Sequence, residues 1–132
     1  TEPVEAVTVA RKTYLEYKPL PHCIVEYSET LRSRLSPSEL VQSVYKSALK
    51  SGLFEGPDIK TRALAYQDFL TGAEPADFIH VTIRILSGRT DEQKQSLTFA
   101  VLTGLTDLSP AGVSLTVEVA DIHRNSYAKL PD

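Results

Sequence analysis

The fold is decided by one stretch of the chain, FIHVTIRILSGRTDEQKQSLTFAVLTGLTDLSPAGVSLTVEV (residues 78–119). Its first nine residues, 78–86, are mostly β-branched or apolar, which predicts a buried strand. Thr90–Gln93 has the pattern of a capping box with acids in the first helical turn. The helix that follows carries an apolar row at helical spacing, consisting of Leu97, Val101 and Leu105. Residues 113–119 alternate between apolar and polar and predict a second strand, so the stretch forms one β-α-β unit.

The same order of elements occurs earlier in the chain. CIVEY (residues 23–27) predicts a strand, and SPSE (residues 36–39) predicts a helix start with a capping box and a proline at the first helical position. Gly52 stands where a helix end is expected. Residues 58–69 are predicted to be extended. The chain therefore contains two β-α-β units, and Ala120–Asp132 is expected to be a tail.

The predicted fold class is α+β, with a four-stranded sheet and two helices on one face. A helix is too long a connection for a hairpin, so the strands of each unit are expected to be parallel with a right-handed crossover. The other face of the sheet has no helix to cover it. We expect apolar surface there, and hence association of several copies of the chain.

The composition limits the function classes. The chain has 132 residues, 42% of them hydrophobic and 23% charged, which is typical of one globular domain. A net charge of −3 gives no reason to expect nucleic acid or an anionic membrane as a partner. No apolar run reaches the length of a membrane span. Cys23 is the only cysteine, which favours the cytoplasm, and one cysteine with three scattered histidines disfavours a metal site.

Three ordered segments carry a resemblance to a known family. They are PHCIVEYS (residues 21–28), GLF with DIKTRA (within residues 52–63) and FIHVTIRILSGRT (residues 78–90). Together they resemble the 5-carboxymethyl-2-hydroxymuconate isomerases of the tautomerase superfamily, over roughly residues 21–119. The resemblance implies a homotrimer of two β-α-β units per subunit. It also implies conversion of a dienol acid to its conjugated ketone in aromatic-acid degradation, without metal or coenzyme.

In that family the base is a proline at the N-terminus, and by motif it corresponds to Pro21. A secondary amine in an apolar pocket lined by cations has a lowered pKa, which suits a group that must take and return a proton. The substrate is a small polycarboxylate, so cationic side chains are needed to bind it, as expected of Lys60 and Arg62, and to stabilise charge that develops on the carbonyl oxygen, as expected of the catalytic Arg89. The candidates are Lys60 and Arg62, which share one face of an extended segment, and Arg89, placed before a helix start that itself favours anions. Lys60 stands where family members can carry arginine. Lysine keeps the positive charge of arginine but lacks its bidentate fork.

Each of these residues also has a purely structural interpretation. Pro21 could simply open a strand, Lys60 and Arg62 could form a solvated strand face, and Arg89 could position a turn. His22 and His80 are interpreted as structural residues and Cys23 as an inert buried thiol. Glu26 is interpreted as a strand-end charge or as the partner of an arginine.

Residues 1–20 raise a question about Pro21, because a proline that follows another residue has an amide nitrogen without basicity. The true start could lie at Leu20, the leader could be cleaved, or it could be retained. In the first two cases residues 21–132 form a single tautomerase-like domain with a free Pro21 amine. In the third, the protein is a trimeric tautomerase-fold binding or scaffold protein without isomerase activity. A strand at Val4–Val9 could then extend the leader across a neighbouring subunit.

Overall fold

The computed structural model describes residues 20–72, 74 and 76–130. Its strands and helices run in the order β1 (His22–Ser28), α1 (Pro37–Lys50), β2 (Lys60–Tyr66), β3 (Asp77–Leu86), α2 (Asp91–Leu108) and β4 (Val113–Ile122). Short 3-10 helices occur at Glu29–Ser33, Gly56–Asp58 and Arg124–Ser126. The predicted sequence of two β-α-β units is confirmed. Residues 1–19 of the expected leader, including the expected strand at Val4–Val9, lie outside the described residues.

The four strands form a single sheet in the order β2-β1-β3-β4. β1 pairs in parallel with β2, and β3 pairs in parallel with β4, as predicted for strands joined through a helix. The two units meet where β1 pairs antiparallel with β3. The sheet is therefore mixed, and the α+β class is confirmed.

The core lies between one face of the sheet and the two helices. In β1, Cys23, Val25 and Tyr27 are buried, while the residues between them are only partly buried, which is the two-residue period of a strand with one covered face. The helices contribute their predicted apolar rows to the same cluster. These rows are Leu40, Val44 and Ala48 in α1, and Leu97, Val101 and Leu105 in α2.

The two helix starts differ from each other. At α2 the predicted capping box is present: the Gln93 N–H donates to Thr90 Oγ1 over 3.1 Å and the Thr90 N–H donates to Gln93 Oε1 over 2.9 Å. At α1 the predicted capping box is wrong, because Ser36 makes no side-chain cap bond. The Glu39 N–H donates instead to the Ser36 backbone carbonyl over 3.1 Å, so the hydroxyl is not needed there.

The uncovered face of the sheet is mostly polar, with Leu64 as an exposed apolar residue on it, so the expected apolar surface forms only part of this face. The strand alternation that buries apolar side chains under the helices also turns polar ones outward. On this face the Tyr66 hydroxyl donates to Glu26. His80 contacts Thr116 Oγ1 at 2.7 Å and Glu118 Oε2 at 2.6 Å. Association of this face with another copy therefore has to satisfy charged and hydrogen-bonding groups as well as apolar ones.

The end of the chain is not a simple tail. β4 continues to Ile122, because residues 120–122 pair in register with residues 84–86 of β3. Asp121 also forms an ion pair with Lys94 of α2, with 2.8 Å between the charged atoms. The 3-10 helix that follows turns the chain back toward the start of β1, where Tyr127 contacts His22. No helix within the described part of the chain is long and apolar enough to cross a bilayer.

Candidate active site

Pro21 lies at the point where β1 begins. Its carbonyl accepts a hydrogen bond of 3.1 Å from the backbone N–H of Lys60, so the proline is held at the start of the parallel pair β1–β2. β3 runs in the opposite direction to β1, and its last residues reach the same edge of the sheet. The topology therefore brings the start of β1, the start of β2 and the end of β3 together, and the predicted site residues lie on these segments.

Leu20 lies directly before Pro21 and is buried, with 2% of its surface exposed, as is Pro21 itself. Leu20 does not belong to the contiguous core cluster under the helices. In the chain of residues 1–132 the Pro21 nitrogen is part of the Leu20–Pro21 amide. The lone pair is then delocalised into that amide, and the nitrogen cannot serve as a base.

Arg62 contacts the residue that follows the proline. In the sheet Arg62 pairs with Ile24, and both residues lie on the uncovered face with His22. An Arg62 guanidinium N–H donates to His22 Nδ1 over 3.2 Å. The opposite ring nitrogen, His22 Nε2, lies 2.9 Å from the hydroxyl of Tyr127. His22 is thus held from both sides, one residue away from Pro21.

Burial and neighbouring cations lower the pKa of His22. Burial is the largest cause, followed by the charges of Arg62, Lys60 and Arg84. The imidazole is therefore neutral at physiological pH. Burial raises the pKa of Tyr127, and the nearby Arg62 charge opposes that effect.

Lys60 lies at the solvent side of this arrangement. It is exposed, and its ammonium group is 3.4 Å from the Asp58 carbonyl. A cavity of about 400 Å3 opens beside it, and Tyr127 and Lys129 line the same cavity. Another cavity, of about 370 Å3, lies between α1 and α2 around Gly104 and contains none of the predicted site residues.

Arg89 follows the end of β3, after Gly88, whose positive φ of 122° suits a residue without a side chain. The Arg89 guanidinium donates to the Leu53 carbonyl over 2.7 Å and lies 5.5 Å from the centre of the Phe54 ring. Burial lowers the pKa of Arg89, and the charge of Arg124 lowers it further. The guanidinium groups of Arg89 and Arg124 therefore lie near each other, close to the end of β3.

The expected anion preference at the start of α2 is satisfied within the chain itself. The Gln93 N–H is used in the capping box, and Asp91 and Glu92 occupy the first turn. The arginine side chains, rather than the helix start, therefore remain the predicted anion ligands here.

The structure thus brings Pro21, Lys60 and Arg62 together around His22. Arg89 lies at the same edge of the sheet, but its hydrogen bond and ring contact run to Leu53 and Phe54, in the connection between α1 and β2. These two contacts agree with the structural interpretation of Arg89 and leave its anion-binding role as a prediction.

Sequence reasoning missed Tyr127 and Arg124, which lie in the segment expected to be a tail. Arg124 Nε donates to the Ser87 carbonyl over 2.5 Å, next to the turn that carries Arg89. His22 is hydrogen-bonded, as expected of a structural residue, and the alternation of β1 places it on the same face as Arg62. That alternation was a signal that could have linked the two.

The remaining predictions for this region have mixed outcomes. Burial raises the pKa of the Cys23 thiol to about 11, which agrees with an inert buried cysteine. Glu26 accepts a hydrogen bond from the Tyr66 hydroxyl, so its described side-chain contact is with a tyrosine and not with an arginine. Within the described residues no group of three or more His, Cys, Asp or Glu side chains could hold a metal ion.

Several solved structures share the fold of this chain. The structure described as 5-carboxymethyl-2-hydroxymuconate delta-isomerase superposes with a TM-score of 0.77 at 14% identity, covering 88% of this chain and 91% of that one. A 5-carboxymethyl-2-hydroxymuconate isomerase from Deinococcus radiodurans R1 gives a TM-score of 0.75 at 24% identity, covering 88% and 92%. A fused 4-OT described as a symmetric trimer gives 0.68 at 17% identity, covering 83% and 92%.

The sequence comparison is more specific. The family model for 5-carboxymethyl-2-hydroxymuconate isomerase matches residues 21–129. The chain therefore belongs to the 5-carboxymethyl-2-hydroxymuconate isomerase family, and the match begins at Pro21. No curated protein sequence gives a significant match to the chain.

Proposed function

We propose that the protein is a cofactor-independent tautomerase that converts a 5-carboxymethyl-2-hydroxymuconate-type dienol acid to its conjugated ketone. The observation that carries this proposal is the arrangement around Pro21. The proline directly precedes β1 beside Lys60, and burial together with the charges of Arg62, Lys60 and Arg84 lowers the pKa of the neighbouring His22. Positively charged side chains at this edge attract an anionic substrate, and they also lower the pKa of a nearby base.

The proposed reaction moves one proton and shifts a double bond. The Pro21 amine, when it is N-terminal, takes the proton of the enol hydroxyl. The O–H electrons form the carbonyl, and the displaced double-bond electrons take the proton back from Pro21 at a distant carbon. No atom is gained or lost, and the amine is regenerated. Burial and nearby cations disfavour the protonated amine, so both half-steps are feasible near neutral pH.

The cationic side chains have separate proposed roles. Arg62 binds a substrate carboxylate, since a guanidinium can bind that group bidentately. Lys60 offers a single point charge beside the cavity that it lines with Tyr127. Arg89 stabilises negative charge as it develops on the substrate, with the charge of Arg124 close by.

The proposal includes the organisation of the chain. Residues 21–132 are the catalytic domain, and residues 1–20 are a leader whose removal frees the Pro21 amine. The agreement of the family match with a start at residue 21 supports this boundary. The likeness to a fused 4-OT symmetric trimer supports a homotrimer. Its proposed setting is aromatic-acid degradation in the cytoplasm, where a single reduced cysteine is usual.

Turnover by protein beginning at Pro21 tests the proposal. The assay follows ketonisation of 5-carboxymethyl-2-hydroxymuconate and of an analogue lacking the carboxymethyl group, by the change in ultraviolet absorbance. We expect turnover of the first substrate and a fall of at least about 100-fold in kcat for Pro21→Ala, the scale of general acid–base catalysis. Protein that begins at Pro21 and turns over neither compound would sink the proposal.

A further inference from the structure

His22 joins a proposed substrate-binding residue to the C-terminal segment. An Arg62 N–H donates to its Nδ1 over 3.2 Å, and its Nε2 lies 2.9 Å from the Tyr127 hydroxyl. Tyr127 is 105 positions away from His22 in the chain. These contacts connect β2, the start of β1 and the segment after β4 at the edge that carries Pro21.

The donor and acceptor inventory assigns the hydrogens of this chain of contacts. A guanidinium has only donors, so His22 Nδ1 must accept and carries a lone pair. A neutral imidazole with an unprotonated Nδ1 has its hydrogen on Nε2. His22 Nε2–H therefore donates to the Tyr127 oxygen. The Arg62 guanidinium thus selects the tautomer, and the Tyr127 hydroxyl, which can accept as well as donate, is compatible with it.

Only the neutral form of His22 is compatible with this arrangement. The charged groups that face the ring are Arg62 and Lys60 on β2 and Arg84 on β3, and Tyr127 faces it from the C-terminal segment. The three cations disfavour a fourth positive charge at the same edge. Protonation would place an N–H on Nδ1 opposite the Arg62 N–H and break the contact.

We propose that His22 is a positioning residue that holds the Arg62 guanidinium in place for a substrate carboxylate, and that Tyr127 anchors the His22 ring by accepting a hydrogen bond from Nε2–H. This role rests on the proposed function, because it concerns the residue that would bind the substrate. His22 acts through Arg62 and does not exchange protons with the substrate.

A first experiment tests the contact without turnover, by NMR titration of the histidine ring nitrogens in the full chain of residues 1–132. His22→Asn assigns the His22 signals. We expect Nδ1 to be unprotonated at neutral pH and the pKa of His22 to lie below 6.5, its ordinary value. Arg62→Gln is expected to raise that pKa, because it removes a neighbouring cation. A protonated Nδ1, or a titration that Arg62→Gln leaves unchanged, overturns the proposal.

A second experiment tests the consequence for substrate binding, with protein that begins at Pro21. His22→Leu removes the acceptor, and we expect about a tenfold rise in KM with a smaller change in kcat, the size of losing one hydrogen bond to a charged group. In His22→Asn an amide oxygen can take the place of Nδ1, so KM is expected to recover toward the wild-type value. Tyr127→Phe is expected to raise KM less than His22→Leu, because it removes the anchor of Nε2 but keeps the ring that accepts from Arg62.

The pH dependence of KM distinguishes a positioning role of His22 from a merely structural one. The wild-type KM is expected to rise as the pH falls through the pKa of His22, and His22→Asn is expected to lack this rise. The matched control is His80→Asn, because His80 lies on the same face of the sheet but is hydrogen-bonded to Thr116 and Glu118. This variant is expected to keep the rise of KM at low pH. If the dependence persists in His22→Asn, the positioning role is wrong. If the titration is as expected but no dienol is turned over, the proposed function fails and the contact stands.

Discussion

Replacing Arg89 by methionine separates its structural contacts from its proposed role in the reaction. Methionine keeps an unbranched side chain but removes the hydrogen bond of 2.7 Å to the Leu53 carbonyl and the cation that lies 5.5 Å from the Phe54 ring. The first loss is expected to cost about 1.5–3 kcal/mol and the second about 0.5–1 kcal/mol. Removing the repulsion between Arg89 and Arg124 offsets part of this cost. We therefore expect Arg89→Met to lower the free energy of unfolding by about 2 kcal/mol.

The stability is measured by urea unfolding, and the activity by ketonisation with protein that begins at Pro21. If Arg89 stabilises charge in the transition state, kcat/KM is expected to fall on the order of 100-fold at a temperature where the variant is fully folded. Arg32→Met, an exposed arginine in the 3-10 helix at the opposite end of β1, is the control and is expected to change stability by less than about 0.5 kcal/mol. Loss of stability with unchanged kcat/KM would show that Arg89 only positions its turn. Unchanged stability would refute the energies assigned to the two contacts.

Three further predictions concern the fold and its titratable groups. Gly104→Ala places a methyl group 2.4 Å from Ser47 Oγ, so we expect the free energy of unfolding, measured in urea, to fall by up to about 2 kcal/mol. Combining this change with Ser47→Ala is expected to reverse the loss. Equal effects with and without Ser47 would contradict the close approach. Hydrogen bonds from Thr30, Ser28 and Arg34 hold the pKa of Asp77 below its ordinary value of 3.8, so its contribution is fully present above pH 3.8 and is lost as the pH falls through the folded value. The difference in unfolding free energy between wild type and Asp77→Asn should therefore shrink in acid, and a constant difference from pH 6 to about pH 2 would argue against it. The Cys23 thiol, with a pKa of about 11, is expected to react with a thiol reagent only after unfolding, so rapid labelling of the native protein at pH 7 would contradict its burial.

The local patterns of the sequence were sufficient for the strands and helices. Alternation over residues 113–119 and the capping box at Thr90 report contacts between near neighbours in the chain, and both are present in the structure. The capping box at Ser36 failed for an equally local reason, because a backbone carbonyl took the N–H that the hydroxyl was expected to accept. The polar nature of the uncovered face was also available from the alternation, since His80 and Arg84 fall between the buried residues of β3.

The connections within the site could not be predicted in the same way. Tyr127 reaches His22 only because β4 continues to Ile122 and a 3-10 helix then turns the chain back. Nothing in the residues near Tyr127 indicates that partner. The proximity of Arg124 to Arg89 likewise depends on the parallel pairing of β3 and β4. Lys60 and Arg62 were predictable as a pair on one face. The position of His22 between Arg62 and Tyr127 could be found only from the register of the sheet.

The proposal on which the others depend is that the Pro21 nitrogen, when it is a free amine, is the base. Its most direct test is the pH dependence of kcat/KM for ketonisation of 5-carboxymethyl-2-hydroxymuconate, measured for protein that begins at Pro21 and for the chain of residues 1–132. For the first protein we expect a rising limb with an apparent pKa below the range of about 7.7–8.0 for an ordinary α-amino group, and for the second we expect no turnover. Equal rates and equal pH profiles for the two proteins would contradict it, because an amide nitrogen cannot take the proton.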